Sequence, residues 1–221
     1  DVGLRGRDSL TGEGGTIDVT GGGDGLQSDH EDEDGRGYVD VRGGAITIAA
    51  GSDGVDATTD LLVTDGELIV TGSEEGLEAF AIVRAGGAVD LTSSDDGVNA
   101  AGGDATTTTE DSGDMGGMGG EGDGGQVLVI SGGTLVVDAE GDGLDSNGSV
   151  LMTGGEVTVN GPTGQGNGAL DVNGAFSLSG GTLAALGSAG MAVSPDPSSP
   201  QGWLAADVSG QAGSTVQVLD E

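Results

Sequence analysis

The sequence predicts an all-β chain wound as a parallel β-helix, a single-stranded solenoid of about 22 residues per coil with three short strands in each. Three observations predict it. Glycine pairs or their equivalents begin at Gly14, Gly43, Asp65, Gly86, Gly132, Gly154 and Gly180, at intervals of 29, 22, 21, 46, 22 and 26 residues. Apolar residues alternate with period two after each pair, which is the period of a strand. An acid-glycine pair then follows at a constant distance. The acid stands nine residues beyond the second position of the pair in Gly15 to Asp24, Gly44 to Asp53, Gly66 to Glu75, Gly87 to Asp96 and Gly133 to Asp142.

The first strand of each coil carries Ile17/Val19, Ile46/Ile48, Leu68/Val70, Val89/Leu91, Leu135/Val137 and Val157/Val159. The second follows the acid-glycine pair: Leu26/Ser28, Val55/Ala57, Leu77/Ala79, Val98/Ala100, Leu144/Ser146 and Leu170/Val172. Its small inward residues suit a tight corner. The third precedes the next glycine pair: Val39/Val41, Leu61/Val63, Leu128/Ile130, Val150/Met152 and Phe176/Leu178. No helical period is sustained anywhere, and turns this short leave no room for helices. Each coil then supplies the backbone partners of its neighbours. Nine or ten coils at the ~4.8 Å strand spacing would make a rod of roughly 45 Å. Arg84 has inward parity and is expected to sit at a strand end and snorkel outward.

The whole chain, 1–221, reads as one β-helix domain with two exceptions to the coil pattern. Residues 102–125 are low in complexity and are expected to protrude as a Gly/Met-rich loop, and residues 29–37 (DHEDEDGRG) form an acidic insertion. Pro195, Pro197 and Pro200 mark an exit loop that opens a capping segment, 195–221, in which Trp203 to Val218 is expected to form a terminal strand pair. The chain opens at Asp1 in mid-repeat, as expected of a mature or excised piece of a longer solenoid.

Composition narrows the function. There are 38 acids against five arginines, no lysine, and a net charge of −33. Nucleic-acid binding needs a basic footprint that is absent. An anionic membrane surface would repel the chain, and no apolar run approaches the ~20 residues of a membrane span. Zero cysteines exclude a disulfide scaffold, a thiolate metal site and a cysteine nucleophile. The 50 glycines do not follow the collagen period. A lysine-free, acid-rich surface suits high salt or a calcium-rich exterior.

The acid-glycine residues are the strongest candidates for chemistry. Coil stacking aligns Asp24, Asp53, Glu75, Asp96 and Asp142 in one column. Three residues on, Gln27, Asp56, Glu78, Asn99, Asp145 and Asp171 form a second. Carboxylates ~5 Å apart repel by ~1 kcal/mol per pair even in water, so a ladder of them invites cations. Hard oxygen ligands in glycine-rich turns suit Ca²⁺. Against this stands the plain role of Asp-Gly as a turn, with Asp bonding its own backbone and Gly taking positive φ.

The insertion offers Asp29, Glu31, Asp32 and Asp34 as a looser metal site, equally readable as a solvated acidic loop. It is not an EF-hand, because His30 stands at the first ligand position and no Glu closes the loop. His30 is the only histidine, which argues against a multi-histidine metal site or a catalytic triad and leaves it as a surface loop residue. A polysaccharide lyase would need a base among Arg5, Arg7, Arg36, Arg42 and Arg84, and sugar platforms are scarce, with only Tyr38 and Trp203.

The run Gly3–Ala57, with its GGTIDVTGGGDGLQS phrase and acidic insertion before Gly-Tyr-Val, resembles a bacterial family of secreted, calcium-binding, β-helical carbohydrate-binding proteins. EEGLEA, SDDGVNAAGGD, the Met-Gly loop, GDGLDSNGSV through GNGALD, and SGGTLAALGSAGMA are similar to its later coils in the same order. The resemblance implies a right-handed parallel β-helix, calcium held by the acid-glycine columns, and binding of cell-wall polysaccharides of cellulose or polygalacturonate type. Two positions depart from the pattern: Asp1-Val2-Gly3 lacks the acid-glycine pair, and Gly168 replaces the acid in the last coil.

The reading that follows is a secreted or cell-surface, calcium-dependent, non-catalytic polysaccharide-binding protein, with acidic glycans attached through calcium bridges. The alternatives are an adhesin or filament subunit self-associating end to end through its coil faces, and, third, a lyase.

Overall fold

The computed structural model describes residues 1–33, 35–102, 123–211 and 213–218. Among them are seventeen strands and no helix. Every strand pairing is parallel, and the strands join one sheet that winds around a single apolar core. The architecture is all-β and solenoid-like. Most of the expected Gly/Met-rich loop, 103–122, and Asp34 lie outside the described residues.

The sheet has three faces, each seven rungs tall. The glycine-pair face holds Thr16–Thr20, Ala45–Ala49, Glu67–Val70, Ala88–Ser93 and Thr134–Ala139, then the distal parts of Ser149–Asn160 and Phe176–Leu186. The corner face holds Leu4–Arg5, Leu26–Ser28, Val98–Ala100, Leu144–Ser146 and Leu170–Val172, with the first residues of Val55–Val63 and Leu77–Arg84. The third face holds Ser9–Gly12, Tyr38–Val41, Val127–Ile130 and the remaining parts of the four long strands. Seven rungs, not nine or ten, span ~30 Å at the usual strand spacing. The longer estimate counted insertion and tail residues as coil.

Register explains the alternation. On the corner face Leu26 pairs with Val55, Val55 with Leu77, Leu77 with Val98, and Val98 with Leu144, all turned inward and fully buried. Ser28, Ala57, Ala79, Ala100 and Ser146 stack beside them, where the wall bends too sharply for larger side chains.

Two glycine columns hold the turns for different reasons. The second residue of each glycine pair has positive φ, from 74° at Gly87 to 92° at Gly44, a conformation that favours glycine. The glycines after the column acids do not lie in that region. They are required by close stacking: a Cβ on Gly97 would lie 2.7 Å from the carbonyl oxygen of Gly143. The positive-φ explanation of the Asp-Gly pairs is therefore corrected to backbone packing.

Arg84 does not snorkel. It is completely buried, in register between Val63 and Ile130, and its Nη1 and Nη2 donate to the carbonyls of Gly86 and Thr134 at 2.7 and 2.8 Å. Burial pushes its pKa down to about 10. The glycine-pair turn turns two carbonyls toward it, which is why the charge stays inside.

The expected terminal strand pair is absent from the described residues after Leu186. The proline-rich segment instead covers the last edge of the third face. Asp196 N–H donates to Phe176, Gln201 N–H to Leu178, and Leu178 N–H to the Ser199 hydroxyl. Proline lacks the donor that a regular ladder needs, so the coverage is intermittent.

Candidate metal centre

The acidic columns stand on the outer side of the corner face and in the turn that leads into it. Backbone hydrogen bonds align the turn residues in the order Val2, Asp24, Asp53, Glu75, Asp96, Asp142 and Gly168, since the N–H after each donates to the carbonyl of the next. Strand register aligns Arg5, Gln27, Asp56, Glu78, Asn99, Asp145 and Asp171. The two positions that departed from the acid-glycine pattern are thus the two ends of the turn column.

The turn acids do not bond their own backbone. Asp53 N–H donates to Asp24 Oδ1 at 3.3 Å, Asp142 N–H to Asp96 Oδ1 at 2.6 Å, and Gly168 N–H to Asp142 Oδ1 at 2.5 Å. Asp24, Asp96 and Asp142 thus each tie their rung to the next through one oxygen, and the other oxygen of Asp24 meets Gln27 of the second column.

Amides interrupt the second column. Gln27 Nε2 donates to Asp24 Oδ2 at 2.5 Å and to Asp56 Oδ2 at 3.1 Å, so it neutralises part of the repulsion at that end. Asn99 sits between Glu78 and Asp145 and donates from Nδ2 to Glu75 Oε2 at 2.9 Å. Its carbonyl oxygen Oδ1 is buried with no donor. The sequence placed both amides in the column without giving them a role.

Asn99 therefore separates two acidic groups, Asp53/Asp56/Glu75/Glu78 and Asp96/Asp142/Asp145/Asp171. In the first, Asp53, Glu75 and Glu78 bring one carboxylate oxygen each within 4.8 Å of the others. Oxygens around one Ca²⁺ lie at most about twice the ~2.4 Å bond length apart, so this triad fits one ion.

The site's electrostatics are those of uncompensated anions. Burial, then neighbouring carboxylates, pushes Glu78 up to about 8, Glu75 and Asp145 to about 7, and Asp53 and Asp96 to about 6. Asp56 and Asp142 are raised from the same first cause. Among the described residues no ion pair reaches any of these acids.

The insertion is built oppositely. Arg5 pairs with Asp29, Arg7 with Asp32 at 3.5 Å, and Arg36 with Glu33 at 2.8 Å and Asp8 at 2.5 Å. Glu31 is exposed, and Asp34 lies outside the described residues. Asp29 and Asp32 thus have cations of their own and are not brought together with the ladder. His30 is not a surface residue. It is buried and its Nδ1 meets Asp8 Oδ1 at 2.7 Å. Arg42 pairs with Asp40 and Arg84 lies in the core, while Arg5, at the head of the second column, is paired with Asp29.

A family model described as carbohydrate-binding domain-containing protein matches residues 1–166. Searches of curated proteins and of solved structures return no match. The matched span includes all five acids of the turn column and the second column through Asp145.

Proposed function

Since the chain belongs to the family of carbohydrate-binding domain-containing proteins, we propose that it is a secreted or cell-surface glycan-binding protein that uses calcium as both brace and bridge. The family description names binding and not a reaction, which accords with a non-catalytic role. The solenoid is right-handed in this reading, as the resemblance of its coil phrases implies.

The observation that carries the proposal is the orphaned oxygen of Asn99 inside an unneutralised carboxylate ladder. A buried amide oxygen without a donor is costly, and the ladder contains carboxylates where donors would be needed. A hard cation satisfies both. The donor set is entirely oxygen, which favours Ca²⁺ over softer metals. Asp53, Asp56, Glu75 and Glu78 hold one ion in this reading, and Asp96, Asp142, Asp145 and Asp171 a second, with the Asn99 oxygen a ligand where the two groups meet and Asp24 linking the first to the preceding rung.

A chain of net charge −33 repels acidic polysaccharides. An ion with open coordination positions reverses that sign locally and can take a uronate carboxylate as a further ligand. The test is affinity electrophoresis through polygalacturonate, with calcium and with excess chelator. The expected result is retardation with calcium that chelator abolishes and that Glu78→Gln with Asp145→Asn removes. Retardation unchanged by chelator would rule out the bridging role.

A further inference from the structure

Acidity and exposed apolar area run in opposite directions along the solenoid. Of the 38 acids, only Asp196, Asp207, Asp220 and Glu221 follow Asp171, and no arginine does. Of the nine large apolar side chains exposed among the described residues, all but Leu4 and Leu151 lie between Leu186 and Val218. The last rung and the tail beyond it thus make a weakly charged, apolar end on a strongly anionic chain.

Two features of this end lack partners. The glycine-pair part of the last rung, residues 182–186, is paired on one side only, with residues 156–160. Gln201 carries the proline-rich segment to the start of that edge, where its Nε2 donates to the Gly181 carbonyl at 3.2 Å. Beyond it, among the described residues, the backbone of 202–210 makes no hydrogen bond. Trp203 is held by one bond, from Nε1 to the Asp196 carbonyl at 3.3 Å, and is 40% exposed, while Leu204 beside it is 73% exposed. At the far end of the same edge, past Leu186, a cleft of about 330 Å³ opens between Asn160, Pro162, Thr163, Leu186 and Ser188. It is large enough to take an indole ring.

We propose that this end is a homodimer interface: two copies meet tail to tail about a two-fold axis, and the Trp203 ring of each seats in the other's cleft beside Leu186. Charge selects the occupant. A second copy that approached along the acidic faces would set one carboxylate array against another. Tail-to-tail contact sets apolar side chains against apolar side chains and keeps the two ladders apart. Area agrees with this. The exposed apolar side chains after Leu183 present on the order of 700 Å² together, close to the ~800 Å² that each partner of a standard interface buries. Symmetry agrees as well. A two-fold axis brings the same surface of both copies together and turns their 182–186 edges antiparallel, an orientation in which strands pair. A buried tryptophan in a pocket near the centre is a common energetic anchor of such contacts. The inference goes beyond the glycan-binding reading and does not depend on it.

Sedimentation equilibrium of the full chain tests it. Excess chelator keeps calcium from bridging two ladders, and about 0.15 M salt screens charges more than ~8 Å apart. The parent is expected at twice the chain mass, dissociating on dilution, with its single tryptophan emitting at shorter wavelength in the dimer than in the monomer. Trp203→Ser with Leu204→Ser, and separately Thr163→Arg in the cleft, alter exposed side chains and leave the core intact. Each is expected to weaken the dimer about thirtyfold or more. Leu151→Ser, exposed on the third face, is the control and should dimerise as the parent does. Circular dichroism verifies that the variants fold. A parent that stays monomeric up to its solubility limit would overturn the proposal. A dimer that survives the tail substitutions and is lost in Leu151→Ser would overturn it too, by moving the contact to the third face. Masses growing past two copies would mean open head-to-tail chains and rule out the two-fold arrangement. A monomer that sediments with neutral phosphatidylcholine vesicles would make a lipid surface the occupant. Loss of the dimer in the tail variant but not in Thr163→Arg would overturn the seating of Trp203 and keep the end as the interface.

Discussion

Two regions of this molecule are dense in acids and behave as opposites. In the insertion at 29–37 Asp29, Asp32 and Glu33 are met by arginines, and Asp8 beside it is held below the ordinary carboxylate range, first by its hydrogen bond to His30 and then by Arg36. In the ladder the acids meet one another, and Glu78, Glu75 and Asp145 are raised to about 8, 7 and 7. Acid content is the same signal in both. What separates a candidate metal site from a paired acidic loop is the missing counter-charge, and only the pairing between rungs reveals it.

The largest effect should come from breaking the geometry that creates the ladder. Gly97→Ala places a Cβ 2.7 Å from the Gly143 carbonyl and against Val137, with strand pairing on both sides to prevent relief. A loss of about 4 kcal/mol or more in urea unfolding is expected, at the top of the range for single substitutions. Gly35→Ala in the insertion meets nothing within 4 Å and strains only φ, at +75°, so a cost of about 1 kcal/mol is expected there. Comparable losses at the two sites would mean that the rungs are free to shift, and the column argument would lose its basis.

Next in size is the pH response without metal. Ladder acids with raised folded-state values stabilise the chain below the unfolded carboxylate pKa of ~4, and that stability is lost as pH rises through ~6 to ~8. The metal-free protein should therefore weaken from pH 4 to pH 8, by roughly 3 kcal/mol, less than the separate shifts would sum to because coupled carboxylates share protons. If calcium binds the deprotonated ladder as proposed, it should reverse the slope and add about 2.7 kcal/mol at a hundred times its dissociation constant. Asp8 works in the opposite direction, giving stability above the unfolded pKa that is lost as pH falls. Melting curves across that range, with calcium and with chelator, check both signs. A metal-free protein that strengthens toward pH 8 would show that the ladder is already compensated.

Much of this was legible in the sequence. Constant nine-residue spacing identified the turn column, and the second column came into register as spacing required, down to Gln27–Asp56–Glu78–Asn99. The neutralisation of the insertion was missed, although the period carried it: Asp8 lies 22 residues before His30, one base repeat, and the two are bonded. Arg84 differs for another reason: its parity points inward, as observed, but the two inward carbonyls that hold it there depend on turn geometry that composition does not encode. The described part of the tail after Leu186 holds no strand: its prolines at 195, 197 and 200 withhold the donors a ladder needs, and its contacts with the last rung are intermittent.

The smallest effect discriminates most finely, because it asks the two regions for opposite signs. Glu78→Gln removes a charge from a half-buried position where burial, Glu75 and Asp53 all oppose ionisation. In chelator at pH 8 the variant should be more stable than the parent by about 1 kcal/mol, the scale set by one unit of pKa. In calcium the order should invert, because the amide replaces a ligand carboxylate. Asp8→Asn removes a charge that His30 and Arg36 both favour, so it should destabilise slightly in chelator and in calcium alike. Paired urea titrations of the two variants in both media measure four signs. If Glu78→Gln weakens the metal-free protein as Asp8→Asn does, then some counter-charge already serves the ladder and its acids are structural anions like those of the insertion. If its sign inverts with calcium while that of Asp8→Asn does not, the repulsion among the column carboxylates is what the ion relieves.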